Sequence, residues 1–147
     1  MNIFLNSKNL KIVLVAASLL VIENTYASGV SVIVNKSYRG GSVPMSDIKR
    51  IYLGKKRSLP GGYTVRPVDQ QTNSPAYRTF YRKVVSKSAS QLKSYWSKMI
   101  FSGKGRPPKT VGSDNQIKDW VRNNPGAIGY VSSSAVDSTV KVILSIR

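Results

Sequence analysis

The chain has no cysteine and no histidine. Without cysteine there is no disulfide framework and no thiol nucleophile. Without histidine it lacks the commonest general base at neutral pH and the commonest transition-metal ligand. Acidic side chains are scarce too: six carboxylates stand against 23 lysines and arginines in 147 residues, a formal charge of +17. Nothing in the spacing of those carboxylates suggests a paired-carboxylate site. The composition therefore reads as a non-catalytic protein with no metal and no cofactor. Long apolar runs are missing as well, apart from Ile12–Ile22, which is short for a membrane span.

Lys8 and Lys11 precede that run, and polar residues ending in Tyr26-Ala27-Ser28 follow it. Charge, apolar core and small residue, in that order, make a secretory signal peptide. Residues 1–27 read as the signal, with an uncleaved anchor as the alternative. Residues 28–147 then form one exported, periplasmic domain, with full secretion as the other destination. Lys8, Lys11 and Glu23 leave with the signal, so 21 basic and 5 acidic residues remain. About 120 residues suffice for one core. Their charge favours anionic partners: phosphate-bearing ligands, anionic polymers or lipid.

The periodicities alternate between strand and helix. Val30–Asn35 is β-branched and reads as a buried strand. Ser46 can cap a short helix with Ile48, Ile51 and Tyr52 on one face. Residues 53–62 read as a basic, turn-rich loop, and "YTVRPVD" as a short strand that Pro67 places at an edge or whose ladder it ends. Ser74-Pro75 pairs an N-cap residue with a proline suited to the first helical position. Tyr77, Phe80, Tyr81, Val84 and Val85 then line one helix face. Ser88 and Gln91 make a capping box, followed by a stripe of Leu92, Tyr95, Trp96, Met99 and Ile100. Gly103 stops that helix and "GKGRPPK" continues as irregular loop. Ser113 and Gln116 form a second box ahead of Ile117, Trp120 and Val121. "AIGYV" reads as a buried strand, and Val140, Val142, Leu144 and Ile146 as one face of a last strand. The class is α/β with a mixed or mainly parallel sheet flanked by helices.

Two tempting sites dissolve on this pattern. Nucleic-acid readers expose aromatics as stacking platforms; here the aromatics of residues 77–96 fall on the core stripes, so nucleic acid is not the expected partner. Gly103-Lys104-Gly105 follows a helix and precedes two prolines, the wrong context for a phosphate loop. The turn at Ser74 is better placed. A strand ends near Asp69, and the amides of Ala76 and Tyr77 with the Ser74 hydroxyl open a helix, where the dipole favours an anion. Arg66 and Arg78 can add charge-assisted bonds, and Asp69 can orient an arginine. A capped helix with no ligand is the competing reading of the same turn.

"MSDIKRIYLGK", "VRPVD" leading to "SPAYRTFY", and above all "PGAIGYV" give the chain a family likeness. From Val30 to Val131 it resembles the distal lobe of substrate-binding proteins of phosphate ABC transporters, including short single-domain members in which "GKG-PP" and "PGAIGYV" occur together. The resemblance implies one lobe of a type II periplasmic-binding-protein fold. It also implies a phosphate or similar oxyanion ligand and an ABC permease or other envelope partner. In that family an Arg-x-Asp turn and a Ser-Gly-Thr helix start hold the oxyanion. Here Ser74-Pro75-Ala76 takes the second place, and Arg66 and Asp69 stand three apart rather than two. The second lobe is missing, so a homodimer could complete the cleft. The alternative is a non-catalytic envelope interaction protein whose basic surface binds an acidic partner or polyanion.

Overall fold

The computed structural model of the protein describes residues 29–147. The signal-peptide reading of residues 1–27 lies outside them. All five positions of strand β1, Val30–Val34, are buried. A strand buried at every position, with β-branched residues at all but Ser31, suits a place covered on both faces. β1 indeed sits inside a five-stranded sheet and pairs antiparallel with β6 (Ala127–Ser132) and β7 (Lys141–Ile146). On its far side β6 pairs parallel with β4 (Arg66–Gln70), and β4 pairs parallel with β5 (Lys109–Gly112). The order is β5-β4-β6-β1-β7.

Helices cover both faces. On one face α1 (Met45–Tyr52), α2 (Pro75–Phe80) and α3 (Ala89–Phe101) pack with Val30, Val32 and Val34, burying Ile48, Ile51, Tyr52, Phe80, Leu92 and Trp96. On the other face α4 (Asp114–Asn123) sets Ile117 and Val121 against Ile33, Val68 and Val131. Gly129 of β6 permits that approach: a Cβ there would stand 2.7 Å from Ile117 Cγ2. Both capping boxes form, with the Ser88 and Ser113 hydroxyls accepting the Gln91 and Gln116 amides.

Several expectations are corrected. α1 is entered at Pro44, whose carbonyl takes the Asp47 and Ile48 amides at 3.0 and 3.3 Å. Ser46 lies inside the first turn and caps nothing. The loop after α1 holds a small hairpin of β2 (Ser58–Leu59) and β3 (Tyr63–Thr64), so "YTVRPVD" divides between two sheets. Pro67 is in an interior strand, not an edge. It does end one ladder: the register with β6 stops at Pro67, and pairing with β5 begins only at Val68, one residue later. The segment after "GKGRPP" is itself the edge strand β5, without hydrophobic alternation to announce it. The Tyr77–Val85 stripe is not one regular helix: α2 widens into a π-helical turn over Tyr81–Val85 and ends at Ser86 with φ 58°. Ile100 is half exposed rather than core. In β7 a register shift against β1 puts Ile143 and Ile146 inside and leaves Val142 outside; Val140, buried, lies just before the strand.

Candidate functional site

β4 ends at Gln70 and leads to α2 on one face of the sheet; its neighbour β5 ends at Gly112 and leads to α4 on the other. Chains that leave adjacent parallel strands toward opposite faces open a crevice at the carboxyl edge, where open α/β sheets hold their ligands. The amino-terminal turns of α2 and α4 flank that edge.

Gln70 ties the crevice together. Its residue is buried, and its Nε2 donates to Asp114 Oδ1 at 2.5 Å and to the Tyr130 carbonyl at 3.1 Å. Its Oε1 accepts from the Ser74 hydroxyl at 2.9 Å. Asp114 Oδ1 also takes the Ser132 amide at 3.0 Å, joining the start of α4 to the end of β6. Beneath lies Asp69, buried, its two oxygens accepting from the Tyr81 hydroxyl at 2.5 Å and from the Tyr130 hydroxyl. Burial pushes the Asp69 carboxyl up from 3.8 to about 6, against the pull of the hydrogen bonds from Tyr130, Tyr81 and the Gln70 amide. Burial and the nearby Asp69 charge push the Tyr81 and Tyr130 phenols upward, so they stay protonated as donors.

The six residues singled out in the sequence do not all meet. Ser74 is the α2 N-cap, and its Oγ accepts the Tyr77 amide at 3.0 Å while donating to Gln70. The Ala76 amide sits in the same first turn, where helical geometry supplies no carbonyl partner. Tyr77 is half-buried, its ring 4.5 Å from that of Tyr81. The exposed Arg78 folds back, with Nη1 donating to the Asn73 carbonyl at 2.8 Å. Asp69 lies behind this group, both oxygens occupied by tyrosines. Arg66 is elsewhere: it begins β4, and four strand steps, about 13 Å, separate it from Gln70 at the crevice. Gln70, Asp114 and Tyr130 were not singled out from sequence as members of the network. The polar pair Asp69-Gln70 at the end of a buried strand, and a tyrosine inside an otherwise aliphatic "AIGYV", are the signals that point to them.

Among the described residues no group of three or more acidic or metal-binding side chains could hold a metal, and no helix is long and apolar enough to cross a membrane.

No protein-family model matches the chain, and no curated protein matches it. Solved structures do. An ABC-type phosphate transport receptor from Vibrio cholerae is 21% identical with a TM-score of 0.62, over 78% of this chain and 45% of that one. A phosphate ABC transporter substrate-binding protein with bound phosphate from Clostridium perfringens is 23% identical with a TM-score of 0.60, over 78% and 44%. PstS from Borrelia burgdorferi is 10% identical with a TM-score of 0.58, over 80% and 50%. The chain thus spans about half the length of the structures it matches. Its mixed sheet, flanked by helices on both faces, is the fold of one lobe of a periplasmic binding protein.

Proposed function

We propose that this is an exported solute-binding protein that takes phosphate or a similar oxyanion at the carboxyl edge of β4. The observation that carries the reading is the convergence of α2 and α4 on one crevice, in a fold shared with phosphate receptors. There the Ala76 amide and the Arg78 guanidinium approach the anion, with Tyr77 beside them, and the Ser74 hydroxyl joins them by turning its one proton from Gln70 to the ligand. Asp69 acts from behind: it fixes Tyr81 and Tyr130, and through the Tyr130 carbonyl the Gln70 carboxamide that orients Ser74. Arg66 is too far along the strand to share this ligand. The described residues supply one side of a cleft, and a facing surface, such as a second copy or an envelope partner like an ABC permease, closes it.

Isothermal calorimetry with phosphate and with sulfate tests this. Heat is expected for the wild-type protein, and a loss of at least tenfold in affinity for Ser74→Ala combined with Arg78→Gln. No heat at about millimolar ligand, or binding indifferent to the double substitution, removes the reading.

A second reading, a basic surface that meets a polyanion, is favoured by one observation. The three ion pairs among the described residues occupy Asp47, Asp119 and Asp137 and leave most lysines and arginines without a carboxylate. Its signature is heparin retention that falls steeply with salt.

A further inference from the structure

The amino-terminal edge of the parallel strands, opposite the Ser74 crevice, carries a cavity of about 320 Å³. Lys56, Arg57, Arg66, Lys104, Arg106 and Lys109 line it, and no carboxylate does. Lys56 is held by Asp47 at 2.7 Å; the other five have no carboxylate partner among the described residues. A second hollow of about 230 Å³ shares Arg66, Pro67 and Lys109 as its wall and continues to Trp120. Charge carried only for solubility is best dispersed over the surface. Here five exposed cations without a carboxylate partner, from three separate segments, line one concavity, where a bound anion lowers their mutual repulsion.

The walls narrow the chemistry of that anion. Three of the lining residues, Pro67, Pro107 and Pro108, offer no N–H, so the six basic side chains carry most of the recognition. This disfavours an acidic peptide adding as a strand, which relies on main-chain bonds. Trp96 is buried, with the edge of its ring near Gly54 and Gly105. Trp120 has Lys109 Nζ over its ring at 4.3 Å. Neither indole is left as an open platform for a nucleobase. A compact, ringless ligand of high charge density fits what remains.

We infer that this cavity binds a short chain of linked phosphates, with Arg66 and Lys109 at the junction of the two hollows. The inference rests on the basic-surface reading above and gives it a place and a ligand class; it is independent of the Ser74 crevice. Calorimetry of the purified protein with tripolyphosphate, orthophosphate and citrate tests it. Tripolyphosphate is expected to bind at least tenfold more tightly than either of the others, with a marked salt dependence. Replacing Lys104, Arg106 and Lys109 together by Gln is expected to weaken it at least tenfold, with the urea midpoint unchanged. Lys93→Gln with Lys98→Gln, which removes two charges from the exposed face of α3, is expected to leave it within about twofold. Citrate binding as tightly, or an equal loss in the α3 variant, overturns the assignment. If tripolyphosphate fails to bind while salt-dependent heparin retention persists, the cavity falls and the broader basic-surface reading stands; if both are absent, both fall.

Discussion

Replacing Asp69 by Asn separates the charge of a buried carboxylate from the hydrogen bonds it accepts. The folded-state value of Asp69, about 6, lies above its ordinary 3.8, so the folded chain holds this proton more tightly than the unfolded one. The stability it contributes is therefore fully present below about pH 3.8 and is lost as pH rises through about 6. A shift of roughly two units is worth about 3 kcal/mol, at 1.36 kcal/mol per unit. Asn cannot ionise, but it offers one acceptor where ionised Asp offers two, so either Tyr81 or Tyr130 loses its partner, at about 1–3 kcal/mol. Urea unfolding of both proteins between about pH 3 and pH 7 reads the difference directly. At the acid end, where Asp69 is itself protonated and like Asn keeps one full acceptor, the two proteins should be close in stability. By neutral pH the gap should have moved by about 3 kcal/mol in favour of Asn. Tyr130→Phe removes one donor to the carboxylate and should move the loss of stability to higher pH. A gap that stays constant across this range would show that Asp69 titrates normally, and the account of the buried network would be wrong.

Three other outcomes follow from the same geometry. Ser74→Ala removes both the cap on the Tyr77 amide and the bond to Gln70, and should lower the unfolding free energy by about 1–2 kcal/mol in urea titrations. Gly129→Ala forces a methyl into the contact between β6 and α4 and should cost about 1–3 kcal/mol; a neutral effect would mean that α4 can move away freely. Sulfate keeps its charge as pH falls through about 6 while Asp69 gains a proton, so sulfate bound at Ser74 should tighten over that interval in calorimetry.

What could be read from sequence was local. The Ser88–Gln91 and Ser113–Gln116 boxes form because a capping residue and its partner lie three positions apart and need nothing else. β1 was legible because its β-branched run needs two covered faces wherever it sits. β5 was not: "KTVG" has almost no apolar pattern, and only its pairing with Val68, Asp69 and Gln70 makes it a strand. The β7 face was misjudged because the register shift against β1 breaks strict alternation, which no single-strand pattern records. At the site, Arg66 and Ser74 are eight positions apart in sequence, but an extended strand carries five residues from one edge of the sheet to the other. Gln70 and Asp114 meet across 44 positions, a contact that belongs to the topology.

The π-helical turn at Tyr81–Val85 bears on which changes in chain length the protein can accept. Ser86 donates back to the Tyr81 carbonyl at 2.8 Å, five residues earlier, so this turn holds one residue more than an ordinary one. Deleting the exposed Arg82 would restore regular winding, a change that surface helices often absorb. Here it would change the angle between Tyr81 and the pair Val84 and Val85, because residues of the wider turn advance by less than the 100° of a regular one. The valines could keep their places in the core or the tyrosine could keep its bond to Asp69, but not both. Among descendants of this chain, substitutions at position 82 should therefore be common and losses of that position rare.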